Sequence, residues 1–341
     1  MDYDVTIGIP LYNAAPFIRR SLQSALAQSH ASIEFLIVDD GSSDESVAVV
    51  RGLVHDSPRS RDVRILSQPS NMGVAAARNR IIDEARGEYL YFMDSDDTIS
   101  PDAIALLMHA ARLHQAEVVF GSYEKVELSG AKQLYAYPAL ALLEPGALAA
   151  YGYRHYAGIQ ASACNFIVKV ALLRQHRHRF IEADYWEDMA FTFDLLPLVS
   201  RAVLLPDVTY TYRCREGSLS HYQQREAIAK LEVCNNIKVI DHLKATSARL
   251  ASKPYFPDRC LCVMMTDFYI ACHILKKKRE ISPSFTQQEI KALFRHPAAL
   301  RQILAFRRSR LSNLALYLLG RLPSWLCVAA VLWAGKAKKL L

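Results

Sequence analysis

Three carboxylates fall within four positions, Asp94, Asp96 and Asp97, with Ser95 between them. They follow directly on the apolar run Tyr89-Leu90-Tyr91-Phe92-Met93. The run reads as a buried strand, which puts the acids where the chain leaves a sheet. In an open α/β sheet that edge is where ligands bind. Acids crowded there repel one another unless a cation or a proton offsets them. A divalent ion bridging a diphosphate is the simplest such cation. The plain alternative is a helix N-terminus with solvated acids ahead of Pro101.

Two other strand ends carry useful residue types. Asp39-Asp40 closes the apolar run 33–38, and Pro10, Tyr12 and Asn13 follow the run 5–9. A carboxylate at the end of the second strand can accept the N–H of a uracil or contact a ribose. The later cluster can hold a metal and a diphosphate. Arg78, a few residues past the Asn71-Met72-Gly73 turn, can reach a base or a phosphate. Read singly, these residues have duller explanations. Asp-Gly and Ser-Asp pairs serve turns and caps, and a lone Arg commonly makes a surface ion pair.

The elements that position these residues alternate. Strand 5–9 is ended by Pro10. A helix then opens at Pro16, with Phe17, Ile18, Leu22, Ala25 and Leu26 at helical spacing. Strand 33–38 precedes a helix for which Ser43 is the expected N-cap. Strand 63–66, helix 74–86 stopped by Gly87, the strand before Asp94, helix 101–115 and strand 117–120 complete the series. Short connections and near-continuous apolar strands predict an α/β protein with a doubly wound, mostly parallel, Rossmann-like sheet. No G-x-G-x-x-G follows the first strand, which excludes a dinucleotide site of the usual kind. Beyond residue 130 the pattern loosens. Strands are expected at 165–168, 202–205 and 209–213, and an amphipathic helix at 189–199 behind Tyr185-Trp186-Glu187-Asp188. Helices dominate from 223, at 223–250, 257–275, 286–295 and after 297.

Four linked motifs resemble the family 2 glycosyltransferases of GT-A fold in order and in spacing. They are Ile7-Gly8-Ile9-Pro10-Leu11-Tyr12-Asn13, then Val38-Asp39-Asp40-Gly41-Ser42-Ser43-Asp44, then Asn71-Met72-Gly73 with Ala77-Arg78-Asn79, and Met93-Asp94-Ser95-Asp96-Asp97. The resemblance covers residues 1–125 closely and extends more loosely to about 220, in the manner of bacterial surface-polysaccharide enzymes. It implies that Pro10, Tyr12, Asn13, Asp39, Asp40, Arg78, Asp94 and Ser95 bind the donor nucleotide, with Asp40 and Pro10 at the base and Asp94 at the ribose. It implies that Asp96 coordinates Mn2+ or Mg2+ on the diphosphate. Trp186-Glu187-Asp188 looks like the family's acidic pair, with Asp188 as general base and Trp186 and Glu187 on the acceptor side. The chemistry has a place for such a base, because in-line displacement at an anomeric carbon needs a carboxylate to take the acceptor's proton. Helix-terminal acids complementing a dipole are the structural alternative. Tyr212-Arg213-Cys214-Arg215-Glu216-Gly217-Ser218-Leu219-Ser220-His221 is similar to the family's Y-R-x-(R/H)-x-x-S loop. In that likeness Arg213, Arg215, Ser218 and His221 close over the diphosphate.

Composition frames the partners. The chain has 341 residues, 51% of them hydrophobic, enough for one large domain or two ordinary ones. The expected division is a catalytic domain 1–222 (nucleotide-sugar half 1–125, acceptor half 126–222) and a basic helical region 223–341. Residues 271–341 hold fourteen Lys/Arg and two acids, so the tail carries the positive charge and the front is mildly acidic. Such asymmetry points to a polyanionic partner. The tail lacks stacking aromatics interleaved for RNA, so no nucleic acid is expected. Apolar segments 314–319 and 322–334, interrupted by Arg321 and Pro323, are too short to span a bilayer. With Trp325, Trp333 and flanking Lys/Arg they suggest a segment lying on an anionic leaflet. A helical subdomain, also able to pair two chains, is the alternative. Seven cysteines without zinc-site spacing fit scattered reduced thiols. No signal peptide is legible at the N-terminus. The expectation is therefore a cytoplasmic enzyme, peripheral on the cytoplasmic face of an inner membrane. It would take a nucleotide sugar, UDP-linked, and a glycan or polyprenyl-diphosphate-linked acceptor. Two rivals use the same residues. Asp94 and Asp96 fit the D-x-D-x-T of a haloacid-dehalogenase-like phosphatase, although three strand–helix units precede them. A non-catalytic membrane- or nucleic-acid-binding protein with a degenerate transferase domain is the other.

Overall fold

Every residue of the second strand is buried, as a strand covered on both faces requires. The computed structural model describes residues 2–155, 159–183, 185–215 and 227–341. Within them the chain forms two compact units. The first comprises Met1–Leu148, Ser162–Glu182 and Leu195–Ser218, and the second Ala149–Ala161, Ala183–Asp194 and Leu219–Leu341. Segments 149–161 and 183–194 thus group with the helical C-terminal part, although they lie inside the range expected for the catalytic domain.

The first unit opens β1 (Tyr3–Leu11), α1 (Ala15–Leu26), β2 (Ile33–Asp39), α2 (Ser46–His55), β3 (Val63–Ser67), α3 (Val74–Glu84) and β4 (Gly87–Phe92). It continues with β5 (Thr98–Ile99), α4 (Ala103–His114), β6 (Val118–Val126), β7 (Lys132–Tyr135) and β8 (Leu140–Leu142). Along the chain, α5 (Ala147–His155), which falls mostly in the second unit, is followed by β9 (Phe166–Lys169) and α6 (Val170–Gln175); α7 (Glu187–Leu195), again mostly of the second unit, precedes β10 (Ala202–Arg213). Among the described residues the sheet runs β3-β2-β1-β4-β9-β6-β10-β5, with β7 on β6 and β8 on β10. From β3 to β4 all pairing is parallel. β9 then enters antiparallel between β4 and β6, and β10 runs parallel to β6. α3 lies against β1 and β2, α6 against β4 and β9, and α4 against β6 and β10. α1 buries Ile18, Ser21, Leu22 and Ala25 at helical spacing. Each fully buried Leu or Ile there contributes about 1.5–3 kcal/mol.

Several local expectations are corrected. β1 runs through Pro10, which pairs in register with Val38. Leu11 O accepts from Asp40 N on the β2 side, whereas Gly8 O accepts from Met93 N on the β4 side. By alternation Pro10 faces the β4 side, where pairing ends at Gly8–Phe92, so its missing N–H costs no ladder bond. Ser43 does not cap α2. Asp44 takes that work, accepting the Ala15 N–H at 3.1 Å and the Ser46 N–H at 3.0 Å. Gly87 is no helix stop but the first residue of β4, where an added Cβ would lie 2.4 Å from Thr6 N. Thr98-Ile99, between the acidic cluster and the helix, form a short strand on β10. The two strands expected at 202–213 are one, kinked by register shifts between Leu204 and Tyr210.

The second unit is helical: α8 (Lys230–Ala248), α9 (Phe256–Lys276), α10 (Gln287–Ala292), α11 (Leu300–Leu304), α12 (Arg310–Leu319) and α13 (Ser324–Ala337). The two-residue strands β11 (Ile228–Ala229) and β12 (Ile281–Ser282) pair in parallel. Its core includes Phe256, Cys260, Ala298, Ile303 and Phe306.

Candidate functional site

Because β1, β2 and β4 run parallel, their C-terminal ends share one edge: Leu11 is level with Asp39, and Gly8 with Phe92. There the chain leaves the sheet as Tyr12-Asn13, Asp40-Gly41 and Asp94-Ser95-Asp96-Asp97, so the fold brings the first unit's expected residues together.

Asp40 is almost fully engaged. Its Oδ1 accepts Gln68 Nε2 (2.6 Å) and the Met72 N–H (2.8 Å), and its Oδ2 accepts the Gly73 N–H (2.8 Å). The buried carboxylate therefore pins the turn in which Gly73 takes φ +90°, directly ahead of α3. Of the roughly four acceptor positions on a carboxylate, about one is left for a ligand. Asp39, also buried, accepts the Ser42 N–H at 3.1 Å. Asn13 sits in the left-handed region at φ +44°, and its Oδ1 accepts the Ser43 N–H at 2.9 Å. Tyr12 is 46% exposed beside it.

α3 delivers Arg78 to the acidic cluster, where Nη2 donates to Asp94 Oδ1 at 2.8 Å. Ser21 of α1 donates to the Asp94 carbonyl (3.1 Å), and Arg20 to the Asp96 carbonyl (3.1 Å). Asp96 Oδ2 accepts from Arg215 Nε. The Arg215 guanidinium also lies 5.0 Å from the Phe17 ring centroid. Asp97 turns inward instead. It is 1% exposed and accepts from the Tyr210 hydroxyl (2.6 Å) and the Arg213 N–H (2.8 Å), which braces the end of β10 against this loop. Ser95 is half-buried between them.

Two carboxyls of the cluster are shifted. Burial pushes the Asp96 carboxyl up, the Asp94 charge adds to this, and Arg215 only partly reverses it. Burial, then Asp94 and Asp96, drive Asp97 well above the usual carboxylate range. Burial likewise raises the Tyr210 hydroxyl and the Cys164 thiol beneath the cluster. Two raised carboxyls at one strand edge are groups whose charged form a bound cation would stabilise. Among the described residues no group of three or more His, Cys, Asp or Glu is placed to hold a metal alone. Asp94 and Asp96 fit an ion that takes one or two carboxylates and completes its shell from phosphate oxygens, the habit of Mg2+ and Mn2+. Arg213 Nε, buried without a hydrogen-bond partner among the described residues, suits an anion.

The expected base lies in the second unit. Trp186 takes φ +64°, an unusual backbone for a bulky residue, and α7 begins at the next position. Glu187 and Asp188 therefore form its first turn, two residues earlier than the sequence suggested. Asp188 Oδ1 accepts the Met189 N–H at 2.7 Å, and Glu187 is buried. Ser218 and His221 lie outside the described residues. Sequence reasoning missed Arg20, Ser21, Asn79, Phe180 and Tyr210. Only Asn79, next to Arg78, carried a signal.

Comparison with known proteins bears on the family and the fold. The profile described as Glycosyl transferase family 2 matches residues 6–173. The succinoglycan biosynthesis protein ExoO of Rhizobium meliloti (strain 1021) is 32% identical over 224 residues, 64% of this chain and 62% of that protein. This chain therefore spans less than two-thirds of that relative. Residues 1–349 of S. aureus TarS, solved with UDP-GlcNAc, superpose with TM-score 0.58 at 18% identity, covering 93% of this chain and 90% of that one. A mannosyltransferase of Pyrobaculum calidifontis, solved with GDP-Man and Mn2+, gives TM-score 0.52 at 15% identity over 98% and 88% of the two chains. At such identities the structural likeness speaks to the fold.

Proposed function

This chain belongs to glycosyl transferase family 2 and has the GT-A fold, and we propose that it is an inverting, metal-dependent glycosyltransferase of cell-surface polysaccharide synthesis. The observation that carries the reading is the Asp94–Asp96 pair at the strand edge, with Arg78 and Arg215 on its two carboxylates. The donor is a nucleotide sugar, UDP-linked. Pro10, Tyr12, Asn13, Asp39 and Asp40 receive the base and ribose. Arg78, Asp94 and Ser95 hold the ribose and phosphates. Arg213 and Arg215 bind the diphosphate, together with Ser218 and His221. Mn2+ or Mg2+, held by Asp96 beside Asp94, would offset charge on the departing diphosphate. Asp188 takes the proton of an acceptor hydroxyl whose oxygen bonds to the anomeric carbon as the bond to the diphosphate breaks. Glu187 and Trp186 orient that acceptor. The neighbour solved with UDP-GlcNAc and the one solved with GDP-Man and Mn2+ support the donor class and the metal.

The acceptor is a hydroxyl of a glycan or of a polyprenyl-diphosphate-linked oligosaccharide, met at the cytoplasmic face of the inner membrane. The second unit supports this. α13 packs Cys327, Val331 and Gly335 inward and presents Trp325 (62% exposed) and Trp333 (77% exposed) outward, beside Lys336. No helix is long and apolar enough to cross a membrane among the described residues. A 14-residue helix extends only about 21 Å. Such a helix lies on an anionic surface, with its tryptophans at the headgroups.

A thermal-shift panel of UDP- and GDP-sugars, with and without Mn2+, tests the function. One donor should raise Tm only with the metal, and the shift should vanish in Asp96→Ala. A chain that no nucleotide sugar stabilises would overturn the proposal.

A further inference from the structure

Arg78 does not reach Asp94 unaided. Asn79, the next residue of α3, makes two hydrogen bonds with the backbone of Phe180, a residue 101 positions away. Its Nδ2 donates to Phe180 O (2.9 Å), and its Oδ1 accepts the Phe180 N–H (2.9 Å). An amide side chain matched to one residue's N–H and C=O fixes that residue as a strand partner would. The Phe180 ring, 3% exposed, then faces back. It packs edge-on against Phe92 at 5.4 Å and 88°, and the Arg78 guanidinium carbon lies 5.4 Å from its centroid. The loop is closed: Arg78 rests on the ring, the ring is set by its own backbone, and the backbone is clipped by Asn79.

The arrangement answers a physical problem. Arg78 is only 4% exposed, and a long side chain held still in a cleft loses rotamer freedom for each contact it keeps. An aromatic face carries a guanidinium without using its N–H donors. One of those donors, Nη2, meets Asp94 at the strand edge. We propose that Asn79 and Phe180 are positioning residues for nucleotide binding, acting through Arg78, and this rests on the reading that Arg78 contacts the donor nucleotide.

The test is calorimetric titration of the full chain with UDP and with GDP in the presence of Mn2+, using whichever nucleotide binds. Arg78→Met should lose affinity most. Phe180→Leu should weaken binding by about tenfold, and Asn79→Ala by roughly fivefold. Phe180→Tyr keeps the ring and should restore affinity. Phe180→Leu also removes buried volume and will lower Tm, so Val50→Ala in the core of α2 serves as a destabilised control that should bind as wild type does. If Phe180→Leu binds like wild type while Arg78→Met does not, the positioning role is overturned and the reading of Arg78 stands. If Arg78→Met binds like wild type, or neither nucleotide binds the chain, that reading falls and this inference with it.

Discussion

Each unit contains an arginine on an aspartate, and the two pairs behave oppositely. In the second unit Arg259 is wholly buried. Its Nε donates to Ser247 (2.8 Å), and its two terminal nitrogens reach the Tyr153 hydroxyl, the Phe193 carbonyl, Thr246 and Asp194. The rings of Phe193 and Tyr153 lie against its faces. Asp194 in turn accepts from His242 (2.9 Å) and Thr246 (3.0 Å). Burial alone would push the Asp194 carboxyl up, but His242 and Arg259 outweigh it, and the group sits below its ordinary value. In the first unit Arg215 offers Asp96 one nitrogen and remains 36% exposed, and there burial and Asp94 win. One pair is closed, and the other is partly exposed with its carboxyl raised. A closed ion pair organises a core, whereas a partly exposed one at a strand edge is prepared for something else to bind.

The largest effect should come from breaking the closed pair. Arg259→Met leaves Asp194 buried without its main cation, a loss of about 3–5 kcal/mol. Urea unfolding should show it. A change below about 1 kcal/mol would mean that the two pairs do not differ in kind. Acid should discriminate next. Because the Asp194 carboxyl is lowered in the fold, its contribution is fully present above its ordinary value of 3.8 and is lost as pH falls through the lowered one. Asp194→Asn should therefore start less stable and lose less than wild type between about pH 5 and pH 2. Parallel losses in the two proteins would refute the assignment.

The contrast also marks what a sequence can say. The strand ends were legible because residue type, apolar run and position coincide within a dozen residues, and parallel pairing carries such ends to one edge. Asp94, Asp96 and Asp97 were not separable, because which acid turns inward is decided by Tyr210 and the Arg213 N–H, more than a hundred positions away. Gly87 fitted both a helix stop and a close approach, and only the 2.4 Å gap to Thr6 N chooses between them. Ser43 lost its capping role to Asp44, a neighbour that serves two helices at once. The polar cluster around Arg259 left no trace in the sequence, since its members are scattered from Tyr153 to Arg259 and none belongs to a motif.

The smallest expected effect on stability is the most informative about the site. Arg215→Met removes a pair that is partly solvated and single-contact, so the fold should lose no more than about 1 kcal/mol. Ligand binding should change in two directions. Arg215 donates to Asp96, so a cation arriving alone must compete with a guanidinium for that carboxylate. Without Arg215, Mn2+ alone, followed by its electron paramagnetic resonance, should bind several-fold more tightly. Nucleotide diphosphate in the presence of Mn2+ should bind about tenfold more weakly, because an arginine that leaves Asp96 for the phosphates has been lost. Opposite signs for the two ligands are what an exchanging arginine produces. If both affinities fell together, Arg215 would be a fixed part of the site, and the difference from Arg259 would be one of exposure alone.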